Sequence, residues 1–130
     1  MYKRQRFDSD IDYLTVEDYP RGTADIEIMT AEALDAAHNE ATDDWHREHV
    51  CTYFSDYPDR FRVHVDQPPA ELYRPTYRLC VDQPEDLQVV REVHRRLDGQ
   101  TPRVARLVEL LDADPALATI NADVVQVTRA

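Results

Sequence analysis

Residues 78–87 read Arg-Leu-Cys-Val-Asp-Gln-Pro-Glu-Asp-Leu, and this stretch decides the fold class. The apolar run over residues 77–81 predicts a strand, and Pro84 suits the first position of a helix because its missing N–H is harmless there. Asp82 therefore stands between a strand end and a helix start, a usual place for a ligand in an open α/β sheet. Two interpretations of Asp82 remain open here: a carboxylate that holds a divalent metal, and a cap of the following helix.

Strand and helix patterns alternate along the rest of the chain. Apolar and polar residues alternate over residues 24–29 and again over residues 61–65, which is the period of a half-buried strand. Helical spacing of apolar residues predicts four helices: residues 31–41, a run through Trp45 and Tyr53, residues 84–97, and a run that starts at Thr101 and Pro102. Residues 115–118 are predicted to form a short turn, and residues 121–130 an irregular tail or a closing strand. This alternation predicts an α/β fold.

The charge of the chain is strongly negative. Asp and Glu outnumber Lys and Arg by 26 to 15, which gives a formal net charge of −11, and Lys3 is the sole lysine. Such a surface repels itself unless salt screens it, so it favours a halophilic host with a salt-rich cytoplasm. An ordinary acidic protein from a GC-rich genome is the alternative, because such genomes favour Arg codons. A nucleic-acid partner is not expected, because binding of that kind needs a basic face.

Length and cysteine content predict one cytoplasmic domain or part of one. The 130 residues allow a single core, and the sequence shows neither a membrane-spanning run nor a secretory signal. Cys51 and Cys80 lie in apolar surroundings without paired spacing, so we expect reduced core thiols. Residues 1–5 differ in composition and match the translation of a common sequencing adapter. We therefore interpret them as non-native and assign residues 6–130 to one domain.

Four segments, in order, resemble motifs of the cytidylyltransferase family typified by spore-coat polysaccharide biosynthesis and sugar-acid-activating enzymes. Residues 25–37 resemble the family's "D-V-E-V … A-L … A" block, and residues 47–50 its "R-E-H-V-T" block. Residues 78–87 resemble "R-x-T-V-D-x-P-E-D-L", and residues 110–121 resemble the ending "L-L … P-x-L-x-x-I-N". Cys51 and Cys80 depart from the family, which usually has Thr there. The family's N-terminal half, with its phosphate loop rich in Gly, Arg and Lys, has no counterpart in this sequence.

The resemblance implies the C-terminal part of a Rossmann-like (GT-A-like) nucleotidyltransferase domain with three α/β/α layers. The intact parent would react CTP with a sugar or sugar acid, with Mg²⁺ as cofactor, to give a CMP-sugar and pyrophosphate. The fragment alone is expected to be inactive. Asp82 resembles the family's magnesium ligand, and Glu27 is expected to accept hydrogen bonds from sugar hydroxyls. Arg47 and His49 are expected to meet an anionic substrate. Each has a structural alternative: an edge-strand Glu, a helix-surface charge and a partly buried His.

Other functions stay open as alternatives. One is a non-catalytic interaction module, with a homodimer face on the helices around Trp45 and Tyr53. Another is a glycosyltransferase-like domain that binds a nucleotide-sugar without making it. His46 and His49 with Cys51 nearby could suggest zinc, but no second ligand pair follows in the sequence. Arg78 is predicted to be structural and paired with a nearby acid. The sequence shows no P-loop and no nucleophile elbow.

Overall fold

The computed structural model describes residues 10–125, which form two units. The first unit comprises residues 10–16 and 26–66, and the second comprises residues 17–25 and 67–125. Residues 1–5, interpreted above as non-native, and the end of the predicted tail lie outside the described residues.

A three-stranded mixed sheet underlies the first unit. Its strands are β1 (Tyr13–Val16), β2 (Ile28–Met29) and β3 (Val63–Asp66), in the order β2-β1-β3. β1 pairs with β2 antiparallel and with β3 parallel, so β1 is the central strand. A central strand has neighbours on both sides, which agrees with the burial of Tyr13 and Leu14.

Three helices complete the first unit: α1 (Ala31–Glu40), α2 (Asp44–Glu48) and α3 (Val50–Asp56). The Thr30 hydroxyl accepts from the Ala33 N–H at the start of α1, and the Asp43 carboxylate accepts from the Trp45 N–H at the start of α2. The predicted single run through Trp45 and Tyr53 is wrong, because His49 leaves the helical conformation (φ −118°, ψ 68°) and separates α2 from α3.

Aromatic rings fill the core of the first unit. Tyr13 stacks on Phe54 with ring centroids 4.8 Å apart, and Phe61 meets Phe54 edge-on at 5.0 Å. Tyr53 lies in the same core and is 5% exposed. Small residues of α1, Ala33 and Ala37, let this helix approach the aromatic cluster.

The second unit is helical. It contains α4 (Pro84–Leu97), α5 (Val104–Ala113) and α6 (Pro115–Thr119), and a short 3₁₀ turn over Ala70–Leu72 precedes them. Its buried core is aliphatic and comes from all three helices: Val89, Val93, Leu97, Leu107, Leu111 and Leu117. The predicted bounds of α4 are confirmed. The predicted turn over residues 115–118 is the helix α6, which starts with Asp114 as its cap and Pro115 at its first position.

Two predicted strands are wrong, because in each case a turn at Gly22 prevents the backbone hydrogen bonds of a sheet from continuing. Residues 77–81 are extended but form one isolated parallel bridge, between Arg21 and Arg78. The partner segment turns at Gly22 (φ +82°), so no ladder continues past the bridge. The predicted strand over residues 24–29 is reduced to β2, because the Asp25 carboxylate accepts from the Gly22 N–H at 3.0 Å and closes that turn.

Candidate functional site

Asp82 lies between the bridge at Arg78 and the start of α4, and 57% of its side chain is exposed. The cap of α4 is Gln83, and the carboxylate of Asp86 accepts from the N–H groups of both Gln83 and Asp82 at 3.1 Å. The alternative that the Asp82 side chain caps this helix is therefore wrong. Gln83 and Asp86 together cap this helix, and the Asp82 carboxylate remains at the surface.

The Asp82 carboxylate is bound by a buried arginine. Nη2 of Arg78 donates to Oδ2 of Asp82 at 2.6 Å. The same guanidinium donates to both oxygens of Asp86, from Nε at 2.9 Å and from Nη2 at 3.1 Å. Arg78 is 6% exposed and Asp86 is fully buried, so the prediction that Arg78 pairs with a nearby acid is confirmed. The hydrogen bonds from Arg78 hold the pKa of Asp86 well below its usual range, against the effect of burial.

Asn121 completes this buried network, and the sequence assigned it no role. Its Nδ2 donates to Oδ1 of Asp86 at 2.7 Å and to the carbonyl oxygen of Arg78 at 3.0 Å. Asn121 is 2% exposed and lies two residues after the end of α6. The sequence did mark these positions, because Arg78, Asp86 and Asn121 all fall in the family motifs quoted above. Their sequence separation, however, gives no indication that they touch.

Glu27 lies in the first unit, just before β2, and its side chain is exposed. Its carboxylate accepts a hydrogen bond from the hydroxyl of Tyr13 on the central strand. Burial, together with the neighbouring Glu27 carboxylate, raises the pKa of Cys51 to about 12, so this thiol is neutral. Glu27 is thus an exposed acceptor held by one donor of the core, the hydroxyl of Tyr13.

Arg47 and His49 also belong to the first unit, but they differ in their surroundings. Nη1 of Arg47 donates to the carbonyl oxygen of Ala41 at 3.2 Å, and no described carboxylate pairs with this guanidinium. His49 is exposed at the break between the helices, with its ring 4.2 Å from Trp45. The alternative of a partly buried His49 is therefore wrong. Within residues 10–125, no hydrogen bond or ion pair joins Glu27, Arg47 and His49.

A cavity of about 270 Å³ in the first unit includes Arg47 but not His49. Its other walls come from α1, from Ala41 and Val50, and from His46. His46 is 4% exposed, and its Nε2 lies 2.8 Å from Oδ2 of Asp56. His46 is thus the buried histidine of this segment. Helical spacing could have indicated it, because His46, Val50 and Tyr53 follow one another at intervals of four and three residues.

Comparison with known proteins gives two relatives, while no family model matches the chain. The chain is 29% identical over 118 residues, 91% of its length, to the uncharacterized protein MJ1063 of Methanocaldococcus jannaschii. It is 31% identical over 116 residues, 87% of its length, to the spore coat polysaccharide biosynthesis protein SpsF of Bacillus subtilis. In each comparison the chain spans 48% of the relative, about half its length.

A solved structure has the same fold. The structure of a cytidylyltransferase from Leptospira borgpetersenii matches 95% of this chain with a TM-score of 0.77 and 21% sequence identity. The resemblance to the cytidylyltransferase family is confirmed. The predicted α/β class is confirmed with it, and the chain corresponds to 50% of the cytidylyltransferase chain.

The cytidylyltransferase resemblance implies Mg²⁺ at Asp82, and the donor set can be compared with that ion. Within residues 10–125, no three His, Cys, Asp or Glu side chains cluster so that they could hold a metal. Mg²⁺ usually takes one or two carboxylates and completes its shell with water and phosphate oxygens. Asp82 fits this role as a single ligand, because Oδ2 is bound by Arg78 while Oδ1 accepts no hydrogen bond from any described residue.

The length and apolar composition of a helix decide whether it can cross a membrane. No helix within residues 10–125 has both the length and the apolar composition needed to cross a bilayer.

Proposed function

We propose that the chain is the C-terminal half of a nucleotidyltransferase that activates a sugar or sugar acid with CTP. The products would be a CMP-sugar and pyrophosphate, and the pathway would be cytoplasmic polysaccharide or glycan synthesis. Three observations support the proposal: the likeness to SpsF, the fold shared with a cytidylyltransferase, and coverage of about half of each relative. The observation that carries it is the exposed Asp82 carboxylate, fixed at the start of α4 by a buried arginine.

The residues of this chain would share the work as follows. Asp82 would hold Mg²⁺ through Oδ1, and the bound ion would neutralise charge on the phosphate under attack. Arg78 is too deeply buried to reach a phosphate, so its role is to orient Asp82. Glu27 would accept hydrogen bonds from sugar hydroxyls in an orientation fixed by Tyr13. Arg47 would bind an anionic group of the substrate with its unpaired N–H groups. His49 remains a further candidate for that contact.

Pyrophosphate release from CTP tests the proposal, in the longer protein that contains this half. Asp82→Asn keeps the shape and can still accept from Arg78, but it removes the charge that binds the metal. We expect it to lower kcat at least a hundredfold while the melting temperature stays near that of the wild type. Asp59→Asn is the matched control, because Asp59 is exposed and has no partner among the described residues. Unchanged turnover in Asp82→Asn would remove Asp82 from the site.

The interaction module makes the opposite prediction. It requires no pyrophosphate release from CTP with any sugar or sugar acid, even in the longer protein. Assaying a panel of neutral sugars and sugar acids with CTP, and with the other nucleoside triphosphates, separates the two functions. The same panel identifies the substrate class.

A further inference from the structure

The Asp82 carboxylate has one anchor among the described residues. The guanidinium of Arg78 binds Oδ2 at 2.6 Å, and the rest of the side chain is exposed. A surface carboxylate without an anchor samples several rotamers, and each metal-binding event then costs conformational entropy. How precisely the Asp82 carboxylate is oriented therefore depends on how firmly the Arg78 guanidinium is held in place.

Arg78 is fixed by a buried, two-point contact. Its Nε and Nη2 reach both oxygens of Asp86, which is fully buried. A bidentate pair of this kind fixes the plane of the guanidinium as well as its position. Nη2 can then point at Asp82 in one direction only, because moving it would break the contacts with Asp86.

Asn121 fixes the other side of the same pair. Its Nδ2 carries two hydrogens, and they go to Oδ1 of Asp86 and to the main-chain carbonyl of Arg78. One amide group thus ties both the carboxylate and the backbone of the pair, 35 and 43 residues earlier in the chain. The side-chain amide of Asn121 bonds no other described residue.

We infer that Asn121 is a positioning residue for Asp82, acting through Asp86 and Arg78. This inference rests on the proposed function, because it takes Asp82 to be the metal-binding carboxylate. Residues that orient a metal ligand from behind typically change metal affinity 10–100-fold when they are removed. The segment after α6 would therefore tune the metal affinity of a carboxylate that precedes α4.

Mn²⁺ binding tests the inference without a catalytic readout. We would titrate Mn²⁺ into the full-length protein with CTP present and count free Mn²⁺ by electron paramagnetic resonance. Asn121→Ala is expected to weaken Mn²⁺ binding about tenfold. Asn121→Ser, which keeps one small donor, is expected to fall between Asn121→Ala and the wild type, and it serves if the alanine variant folds poorly.

The matched control is Leu117→Ala, because Leu117 is a buried residue of α6 that belongs to the aliphatic core and its hydrocarbon side chain makes no hydrogen bond to the network. It should lower the melting temperature and leave Mn²⁺ affinity unchanged. Wild-type affinity in Asn121→Ala, or an equal loss in Leu117→Ala, would overturn the inference.

Asp82→Asn separates this inference from the proposed function. If it binds Mn²⁺ as the wild type does, the metal assignment and the inference both fail. If it loses binding while Asn121→Ala keeps it, the inference alone fails.

Discussion

Among the individual residues, Asp86 carries a buried charge whose carboxylate oxygens both accept hydrogen bonds. A buried charge is tolerated only under this condition. The two oxygens of Asp86 accept from Arg78, from Asn121 and from two backbone N–H groups. The same carboxylate caps α4, so one side chain links the helix start, the arginine and the segment after α6. Buried ion pairs often contribute little net stability, but breaking one from a single side is costly.

Asp86→Asn should therefore be strongly destabilising. It removes the buried negative charge that pairs with both Nε and Nη2 of Arg78. We expect the free energy of unfolding to fall by about 3–5 kcal/mol in urea denaturation. Asp112→Asn is the matched control, because Asp112 also binds an arginine through both oxygens (Arg74, 2.9 and 2.7 Å) but at the surface. It should lower the free energy of unfolding much less, because an ion pair at the surface is screened by solvent. Equal losses in the two variants would contradict the burial argument.

The same carboxylate should govern stability in acid. Its pKa is lowered in the folded state, chiefly by Arg78, and a free Asp has a pKa of about 3.9. A lowered folded-state pKa means that the stabilisation is complete above the unfolded value and is lost as the pH falls below it. We expect the free energy of unfolding of the wild type to decline from about pH 5 downward, more steeply than that of Asp86→Asn. Parallel pH profiles of the two proteins between pH 3 and pH 7 would contradict this assignment.

Among the secondary-structure elements, those with agreeing local signals form where the sequence predicts them. α4 combines a proline at its first position, acidic residues in its first turn, apolar residues at helical spacing, and Asp98 and Gly99 with positive φ after its last residue. Each signal belongs to the element itself, so no distant contact was needed to predict its bounds. α1 is similar, with Thr30 as its cap.

Strands at 24–29 and 77–81 could not be predicted correctly in the same way, because a strand exists only where a partner pairs with it. The apolar run over residues 77–81 meets a partner that turns at Gly22 after one bridge. A Cβ at Gly22 would lie 2.7 Å from the backbone nitrogen of Cys80, so the turn and the extended run fit closely together.

The candidate site also depends on contacts between residues far apart in the sequence. Asp82 and Arg78 were predicted from adjacent residues, whereas the role of Asn121 depends on contacts across 35 residues or more.

The cap of α1 offers a test at this scale. The Thr30 hydroxyl accepts from the Ala33 N–H at 3.1 Å, so Thr30→Ala leaves that donor without its partner. We expect a loss of about 1 kcal/mol in the free energy of unfolding. Thr101→Ala is the control, because Thr101 is exposed and its hydroxyl makes no hydrogen bond with a described residue. It should stay within about 0.5 kcal/mol of the wild type. A loss at Thr101 as large as that at Thr30 would count against the capping contribution.

The whole molecule is dominated by its charge. Two effects of salt oppose each other: screening relieves the repulsion of 11 excess negative charges, and it also weakens surface ion pairs. Several such pairs are exposed, including Arg62 with Asp12 and Arg106 with Glu109, and pairs of this kind contribute little each. The excess charge acts on every acidic group at once, so we expect the relief of repulsion to be the larger effect.

Stability should therefore rise with salt. We predict a melting temperature that increases steadily as KCl is raised from about 0.05 M to 1 M, because the screening length shrinks to about 3 Å at 1 M. A variant with Glu17→Gln, Glu48→Gln and Asp59→Asn tests the cause, since all three carboxylates are exposed and lack partners among the described residues. It should melt higher than the wild type at low salt and respond less to KCl. Full wild-type stability at low salt, with no gain from KCl, would contradict both the repulsion argument and the prediction of a halophilic host.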